Sequence, residues 1–282
     1  MEVLDFKMTA WQDAALEEGA TALWWLGQAG FAVRFGRRGF LIDPYLSDSL
    51  AVKYRDAEYK HVRMMPPPIT PRAVRRLDWV FCTHRHGDHM DPGTLGVLAR
   101  NNACGFFLPA AAGEHAVDVV GLDGERITAL RAGQTVQLDP RVRVTAIPSA
   151  HEQLVVNEAG EHLFLGLVFC LGGLTVYHAG DCCPYDGLAE TLREHRVDVA
   201  LLPVNGRDTV RAARKVPGNF HFAEALALCR DLDIPWMIPH HFGMFEFNTV
   251  DPEDLRRQID ASQTRPAVCI PQIDRAMVFG GR

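Results

Sequence analysis

The chain of 282 residues is 48% hydrophobic and 23% charged, a globular composition sufficient for one large or two ordinary domains. Its net charge of −6 argues against an extended nucleic-acid surface, and no apolar run approaches the ~20 residues needed to span a bilayer. Acids at Glu2 and Asp5, where a secretion signal needs basic residues, and seven cysteines without paired spacing predict a reduced, cytoplasmic protein with no membrane and no nucleic acid among its partners.

In chain order, residues 22–26, 31–35 and 39–43 read as three strands joined by glycine turns, a β-meander. Residues 51–71 are polar and then proline-rich (Pro66, Pro67, Pro68, Pro71), which predicts a loop over the surface, either a lid or a spacer. Residues 77–82 read as a short buried strand. Asp91 is placed to cap a helix that opens at Pro92 and shows one face through Leu95, Leu98 and Ala99. Residues 141–147 alternate as a half-buried strand should, and 162–171 and 174–178 flank the hairpin turn Gly172-Gly173. Further strands are predicted at 197–204, 234–238, 268–270 and 276–279, and amphipathic helices at 185–195, 222–232 and 252–262. Meander, helix, meander, helix suggests two similar halves. No linker divides them, which predicts a single domain over residues 1–282 with two sheets and helices outside.

Between the strand at 77–82 and the helix at Pro92 stands His84-Arg85-His86-Gly87-Asp88-His89. Four potential metal ligands crowd six residues, at the strand-to-helix junction where α/β proteins place their chemistry. Imidazole and carboxylate together suit zinc, manganese or iron. The bland alternative is a surface loop, in which three histidines and an aspartate meet by chance and repel on protonation. One loop cannot close a coordination sphere, so further ligands are expected at other strand ends. His151, Asp181 and His241 each stand just beyond a predicted strand. Cys82, Cys104, Cys170, Cys229 and Cys269 lie in apolar surroundings and read as core.

With these residues in view, the chain resembles the metallo-β-lactamase fold superfamily, whose His-x-His-x-Asp-His signature matches positions 84–89. Trp25-Leu26-Gly27-Gln28-Ala29-Gly30-Phe31, Ile42-Asp43-Pro44-Tyr45-Leu46, Tyr177-His178-Ala179-Gly180-Asp181, Leu202-Pro203-Val204-Asn205-Gly206-Arg207-Asp208 and Ile238-Pro239-His240-His241 resemble the branch containing L-ascorbate-6-phosphate lactonase. The resemblance implies an α/β fold, a four-layer αβ/βα sandwich of two mixed sheets. It implies that His84, His86 and His151 hold one metal, that Asp88, His89 and His241 hold a second, and that Asp181 bridges them. His240 competes with His241, and the register set by Pro239 favours His241. The branch is associated with manganese and many relatives with zinc, so two divalent ions, Mn(2+) or Zn(2+), are expected. Relatives commonly carry a hydroxylic residue after the bridging aspartate, where this chain has Cys182-Cys183, read as a plain replacement. A homo-oligomer is also implied.

A metal pair would lower the pKa of a water, and Asp88 is the residue expected to orient that water and accept its proton. Asp43 and His178 either hydrogen-bond ligand histidines and fix their tautomers or stand as turn or core residues. Asn205, Arg207, Arg211 and Arg214, with Lys215, form a basic run suited to an anionic substrate, although a solvated face is the common fate of such a run. His221 either reaches the site or caps the helix behind it. The expected activity is hydrolysis of a small anionic, phosphorylated sugar-like lactone or ester. The alternatives are a phosphodiesterase acting on a cyclic nucleotide or phospholipid headgroup, and a dimetal redox or non-catalytic metal-binding protein.

Overall fold

The computed structural model describes residues 1–262 and 265–281. Strands β1 (Glu2–Leu4), β2 (Thr21–Gly27), β3 (Gly30–Phe35), β4 (Arg38–Ile42), β5 (Trp79–Phe81), β6 (Gly105–Pro109) and β7 (Ile127–Leu130) belong to a first sheet. Strands β8 (Thr135–Asp139), β9 (Val142–Pro148), β10 (Leu165–Leu171), β11 (Leu174–His178), β12 (Val199–Pro203), β13 (Trp236–His240) and β14 (Ala267–Val268) form a second. β15 (Ala276–Phe279) returns to the first sheet and inserts between β1 and β2, giving the order β1-β15-β2-β3-β4-β5-β6-β7. The second sheet runs β14-β13-β12-β11-β10-β9-β8. Each sheet is antiparallel through its meander and parallel beyond it: β4 to β7 in the first, β11 to β14 in the second.

Strand alternation explains the layering. In β2, Leu23 and Trp25 enter the core between the sheets, while Ala22, Trp24 and Leu26 pack outward with Leu95 and Leu98. The latter two lie on α2 (Pro92–Asn101), which follows α1 (Ser49–Lys53) and the Pro71–Ala73 turn; α3 (Gly113–Asp118) adds Ala116 to the same outer layer. Phe169 of β10 meets Phe40 and Phe81 across the inter-sheet core at ring separations of 5.1 and 4.9 Å. The second sheet is covered by α4 (Leu188–His195), α6 (Phe222–Asp231) and α7 (Pro252–Ser262), through Leu192, Cys229 and Leu255, with the short α5 (Thr209–Ala213) between β12 and α6. This is the four-layer arrangement of two mixed sheets expected from the motifs. Among the described residues no helix is long and apolar enough to cross a membrane.

The observed elements depart from the predicted ones where patterning is weak. β1, β6, β7 and β8 and helices α1, α3 and α5 were not anticipated; most span only three to six residues, too few for a period to show. The strand expected from residue 162 starts at Leu165, because 152–163 makes an irregular excursion closed by a bridge between Val156 and His162. The proline-rich stretch begins as α1 and continues as an irregular strap. Met64 donates its N–H to the Met244 carbonyl at 2.9 Å, and Arg63 reaches the Tyr45 carbonyl at 3.0 Å. Those contacts lay the strap across the end of the sandwich where the strand ends gather.

Candidate metal centre

All the expected ligands issue from that end. The His84–His89 loop follows β5, and α2 fixes its far side. The Asp91 side chain accepts the Gly93 N–H at 3.0 Å and the Ser49 hydroxyl at 2.7 Å, and Pro92 occupies the first helical position. His151 follows β9, Asp181 follows β11, and His241 follows β13. Three non-glycine residues at this edge, Gln28, Asp43 and His241, hold left-handed backbone with φ of 52°, 45° and 63°. Such conformations cost about 1–3 kcal/mol each and gather where side chains must be aimed. The turn at His241 sends its ring toward the other ligands. His240 instead stacks on His178 inside the molecule, 4.9 Å between ring centres, with no hydrogen-bond partner for either nitrogen.

Asp181 lies at the centre. Its Oδ1 is 3.1 Å from His241 Nε2 and 3.3 Å from His89 Nε2, and its Oδ2 is 3.5 Å from His151 Nε2 and 3.9 Å from His84 Nε2. Asp88 Oδ2 is 3.7 Å from both His89 Nε2 and His241 Nε2. Three groupings have ligand atoms mutually within 4.8 Å: His84–His89–Asp181, His86–His151–Asp181 and Asp88–His89–His241. His84 Nε2, His89 Nε2 and Asp181 Oδ1 are buried without hydrogen-bond partners. Orphaned polar atoms of this kind are rare in folded proteins, and the set offers lone pairs converging on common points, which fits divalent cations.

Electrostatics agree. Burial drives the His84 imidazole well below its usual value, helped by His89 and His86; it lowers His86 to about 4 and lowers His151 from its ordinary value as well. Neutral imidazole is the form a metal requires. Burial alone would raise the Asp181 carboxyl, but His241, His89 and His151 hold it well below the usual carboxylate range; His89 and His241 likewise outweigh burial at Asp88. At His89, burial favours the neutral ring, yet Asp181, Asp43 and Asp88 raise its pKa well above the ordinary value. A position ringed by three carboxylates demands positive charge.

A supporting layer orients the ligands. Asp43 Oδ2 accepts from His89 Nδ1 at 2.7 Å, and the same carboxylate takes the Thr83 N–H and hydroxyl, each at 2.7 Å. Thr83 Oγ1 is in turn 3.0 Å from His84 Nδ1. His178, by contrast, touches no ligand histidine. Its Nε2 pairs with the Ala29 carbonyl at 2.8 Å and its Nδ1 accepts the Gly180 N–H at 3.0 Å, so it shapes the turn that presents Asp181. That turn needs Gly180, whose φ is +63° and whose absent Cβ would stand 2.8 Å from the Thr83 side chain. Gln28 was not singled out from sequence. Its Nε2 donates to Asp88 Oδ2 at 2.8 Å.

A cavity of about 570 Å³ opens over the cluster, lined by His86, Asp88, His151, Asp181 and His241. Of the basic run, only Arg214 and Lys215 line it. Arg214 is held to the strap by the Tyr59 hydroxyl and, at 3.1 Å, by Glu58. The expectation that Asn205, Arg207 and Arg211 contact substrate does not match their placement. Arg207 forms a two-pronged pair with Glu224 at 2.6 and 2.7 Å. Arg211 pairs with Asp208, Asn248 and the Asn205 carbonyl, and Asn205 bridges Asn248 and Asn219. These three hold the wall behind the site. His221 stands at the N-cap of α6, where its N–H donates to Glu224 Oε2 at 2.9 Å and its backbone carbonyl accepts the Glu224 N–H at 3.0 Å. Cys182 and Cys183 are buried, and burial pushes the Cys182 thiol up to about 12 and raises the Cys183 thiol as well. Arg207→Ala is expected to lower unfolding free energy by about 1 kcal/mol, since the pair is one-third exposed, and to leave KM within about twofold. Denaturant titration and steady-state kinetics check both; a KM increase above about tenfold would return Arg207 to the substrate.

Different basic side chains line the cavity: the cations Lys53 at the end of α1 and Arg85 in the histidine loop, with the His115 ring of α3, whose pKa is lowered by burial and by those two neighbours. Neither Lys53 nor Arg85 forms an ion pair among the described residues. Tyr54, Tyr59, His61, Phe245 and Phe247 supply an aromatic side, with Tyr59 and Phe247 stacked at 4.4 Å.

Comparison with known proteins adds to this geometry. The family model described as "Beta-lactamase superfamily domain" matches residues 38–242, which include every residue of the His/Asp cluster. A "UPF0173 metal-dependent hydrolase" of Archaeoglobus fulgidus is 28% identical over 244 residues, covering 84% of this chain and 90% of its own. A "Probable L-ascorbate-6-phosphate lactonase UlaG" of Escherichia fergusonii is 24% identical over 282 residues, covering 88% and 78% respectively. Among solved structures, an isothiocyanate hydrolase from Delia radicum gut bacteria superposes with a TM-score of 0.75 at 17% identity, over 93% of this chain and 100% of that one. The chain therefore belongs to the metallo-β-lactamase superfamily, among the metal-dependent hydrolases of its UlaG-like branch.

Proposed function

We propose that the protein uses two divalent cations, manganese or zinc, to hydrolyse an ester or lactone in a small anionic, phosphorylated sugar-like substrate. The observation that carries this reading is the Asp181 carboxylate, whose two oxygens each face a different pair of imidazoles at 3.1–3.9 Å, as a bridge between two cations must. His84, His86 and His151 would hold one ion, and Asp88, His89 and His241 the other. Divalent ions so placed lower the pKa of a water toward neutrality and polarise the scissile carbonyl.

The chain's own groups complete the reaction. Asp88, lining the cavity with its carboxylate held ionised by His89 and His241, takes a proton from the attacking water. The water oxygen adds to the carbonyl carbon, the ester C–O bond breaks, and the proton passes to the departing alkoxide. Lys53 and Arg85, with Arg214 and Lys215 across the cavity, supply charge for a phosphate or carboxylate, and the aromatic side packs against the sugar's apolar face. The name of the UlaG relative supports the lactone; the cations support the anion.

Chelation is expected to abolish turnover of a phosphorylated lactone, with recovery on adding manganese or zinc. Full activity in exhaustively stripped protein would sink the proposal, and turnover of phosphodiesters but of no lactone or ester would sink its substrate class. Lys53→Ala and Arg85→Ala are each expected to raise KM for an anionic substrate by about tenfold, with kcat within about twofold. An uncharged ester should show no such rise.

A further inference from the structure

We propose that the Gln28 carboxamide competes with the cation for Asp88 and His241, so that this chain loads its two metal positions in order. The inference rests on the two-cation reading above and concerns how the second position fills.

Gln28 is fully buried in the turn between β2 and β3 and is fixed at both ends of the residue. Its backbone carbonyl accepts the His241 N–H at 2.9 Å and the Trp25 indole N–H at 3.0 Å, which holds the left-handed backbone in place. Its side-chain Nε2 then stands 2.8 Å from Asp88 Oδ2 and 3.2 Å from His241 Nε2. An amide nitrogen carries two hydrogens, one for each of these acceptors. The orientation of the amide is dictated by charge: the reverse would set Oε1 against the Asp88 carboxylate with nothing to offset the repulsion. Its Oε1 consequently lies buried without a hydrogen-bond partner.

The two acceptors that Nε2 engages are two of the three ligand atoms in the Asp88–His89–His241 grouping. Among the described residues no amide donor is set against the His86 or His151 ring, and the third member, Asp181, faces His241 Nε2 at 3.1 Å and His89 Nε2 at 3.3 Å through its Oδ1. A cation can enter the first only by displacing the amide from a charge-assisted hydrogen bond and from an imidazole lone pair, whereas it enters the second without such competition. The position built on His86, His151 and Asp181 therefore fills first and holds tighter.

Calorimetric titration of the metal-free full chain with manganese, and separately with zinc, tests the idea. Wild type should show two steps. In Gln28→Ala the weaker step should tighten by about tenfold, the size expected for removing a charge-assisted bond, while the tighter step stays put. Gln28→Asn retracts the amide by one carbon and keeps a residue that tolerates left-handed backbone, so it should give the same change if alanine fails to fold. A weaker step that is unchanged or loosened in a folded variant overturns the competition, leaving the two-cation reading intact. Wild type that binds no cation overturns both.

Discussion

Asp181→Ala is expected to strip cations from both positions and to lower hydrolysis by about 10³-fold or more, with the fold retained. The size follows from position. Its carboxylate presents one oxygen to His89 and His241 and the other to His84 and His151. Removal leaves four neighbouring imidazoles without their shared counter-charge, so a cation lost from either side is not regained elsewhere. The backbone at this point does not depend on the carboxylate. Ser149 Oγ holds the Ala179 and Asp181 carbonyls at 3.0 and 2.9 Å, and the His178 ring holds the Gly180 N–H. Circular dichroism should therefore match wild type while elemental analysis shows metal loss. Asp181→Asn keeps the shape and removes the charge, and should fall nearly as far. Retention of one full equivalent of metal in either variant would show that Asp181 serves a single ion.

The His/Asp cluster was legible as candidate ligands because its residue types are chemically distinctive and each segment follows an apolar run. A strand end delivers a side chain to one edge wherever it falls in the chain, so His151, Asp181 and His241 could be picked out without knowing the sheet order. Asp43 was legible for the same reason. For His178 the sequence leaves open a contact to a ligand histidine or a place in a turn, and the structure gives the second, with its ring on the Ala29 carbonyl and the Gly180 N–H. What selects substrate was far less visible. A run such as Arg207 to Lys215 shows charge but not partners, and the groups that occupy it, Glu224 and Asn248, lie 17 and 37 positions from the arginines they bind. The cavity's cations without an ion pair among the described residues, Lys53 and Arg85, come from two separate segments, so no local run announces them. Gln28 is an amide in a turn, and neither its left-handed backbone nor its reach to Asp88 leaves a mark in composition or period.

The strap also helps to wall the cavity over the cluster. Tyr59 on the strap stacks on Phe247, and its hydroxyl meets Arg214, so the cavity is walled by segments joined through side chains rather than by sheet pairing. Substrate selection can therefore vary by exchange of a few residues on loops, while the cluster beneath stays on rigid strand ends.

The strongest stability effect should come from Asp43. Its buried carboxylate accepts three hydrogen bonds, from the Thr83 amide, the Thr83 hydroxyl and His89, and so ties the end of β4 to the start of the histidine loop. Asp43→Ala breaks that tie and leaves buried donors unpaired, which is expected to cost about 3–5 kcal/mol and to weaken metal binding by about 10- to 100-fold. Asp43→Asn separates these two effects. The asparagine side chain keeps the shape, tolerates the left-handed backbone, and can still accept the Thr83 N–H through its oxygen. Its NH2, however, would face His89 Nδ1 as a donor and force the imidazole proton onto Nε2, the atom turned toward Asp181 and Asp88. A ring protonated there cannot ligate. Denaturant unfolding of the metal-free protein should then show a smaller loss for asparagine than for alanine, while calorimetric titration shows the position built on Asp88, His89 and His241 lost in both. Wild-type metal binding in Asp43→Asn would mean that the carboxylate acts on stability alone and that some other contact sets the tautomer of His89.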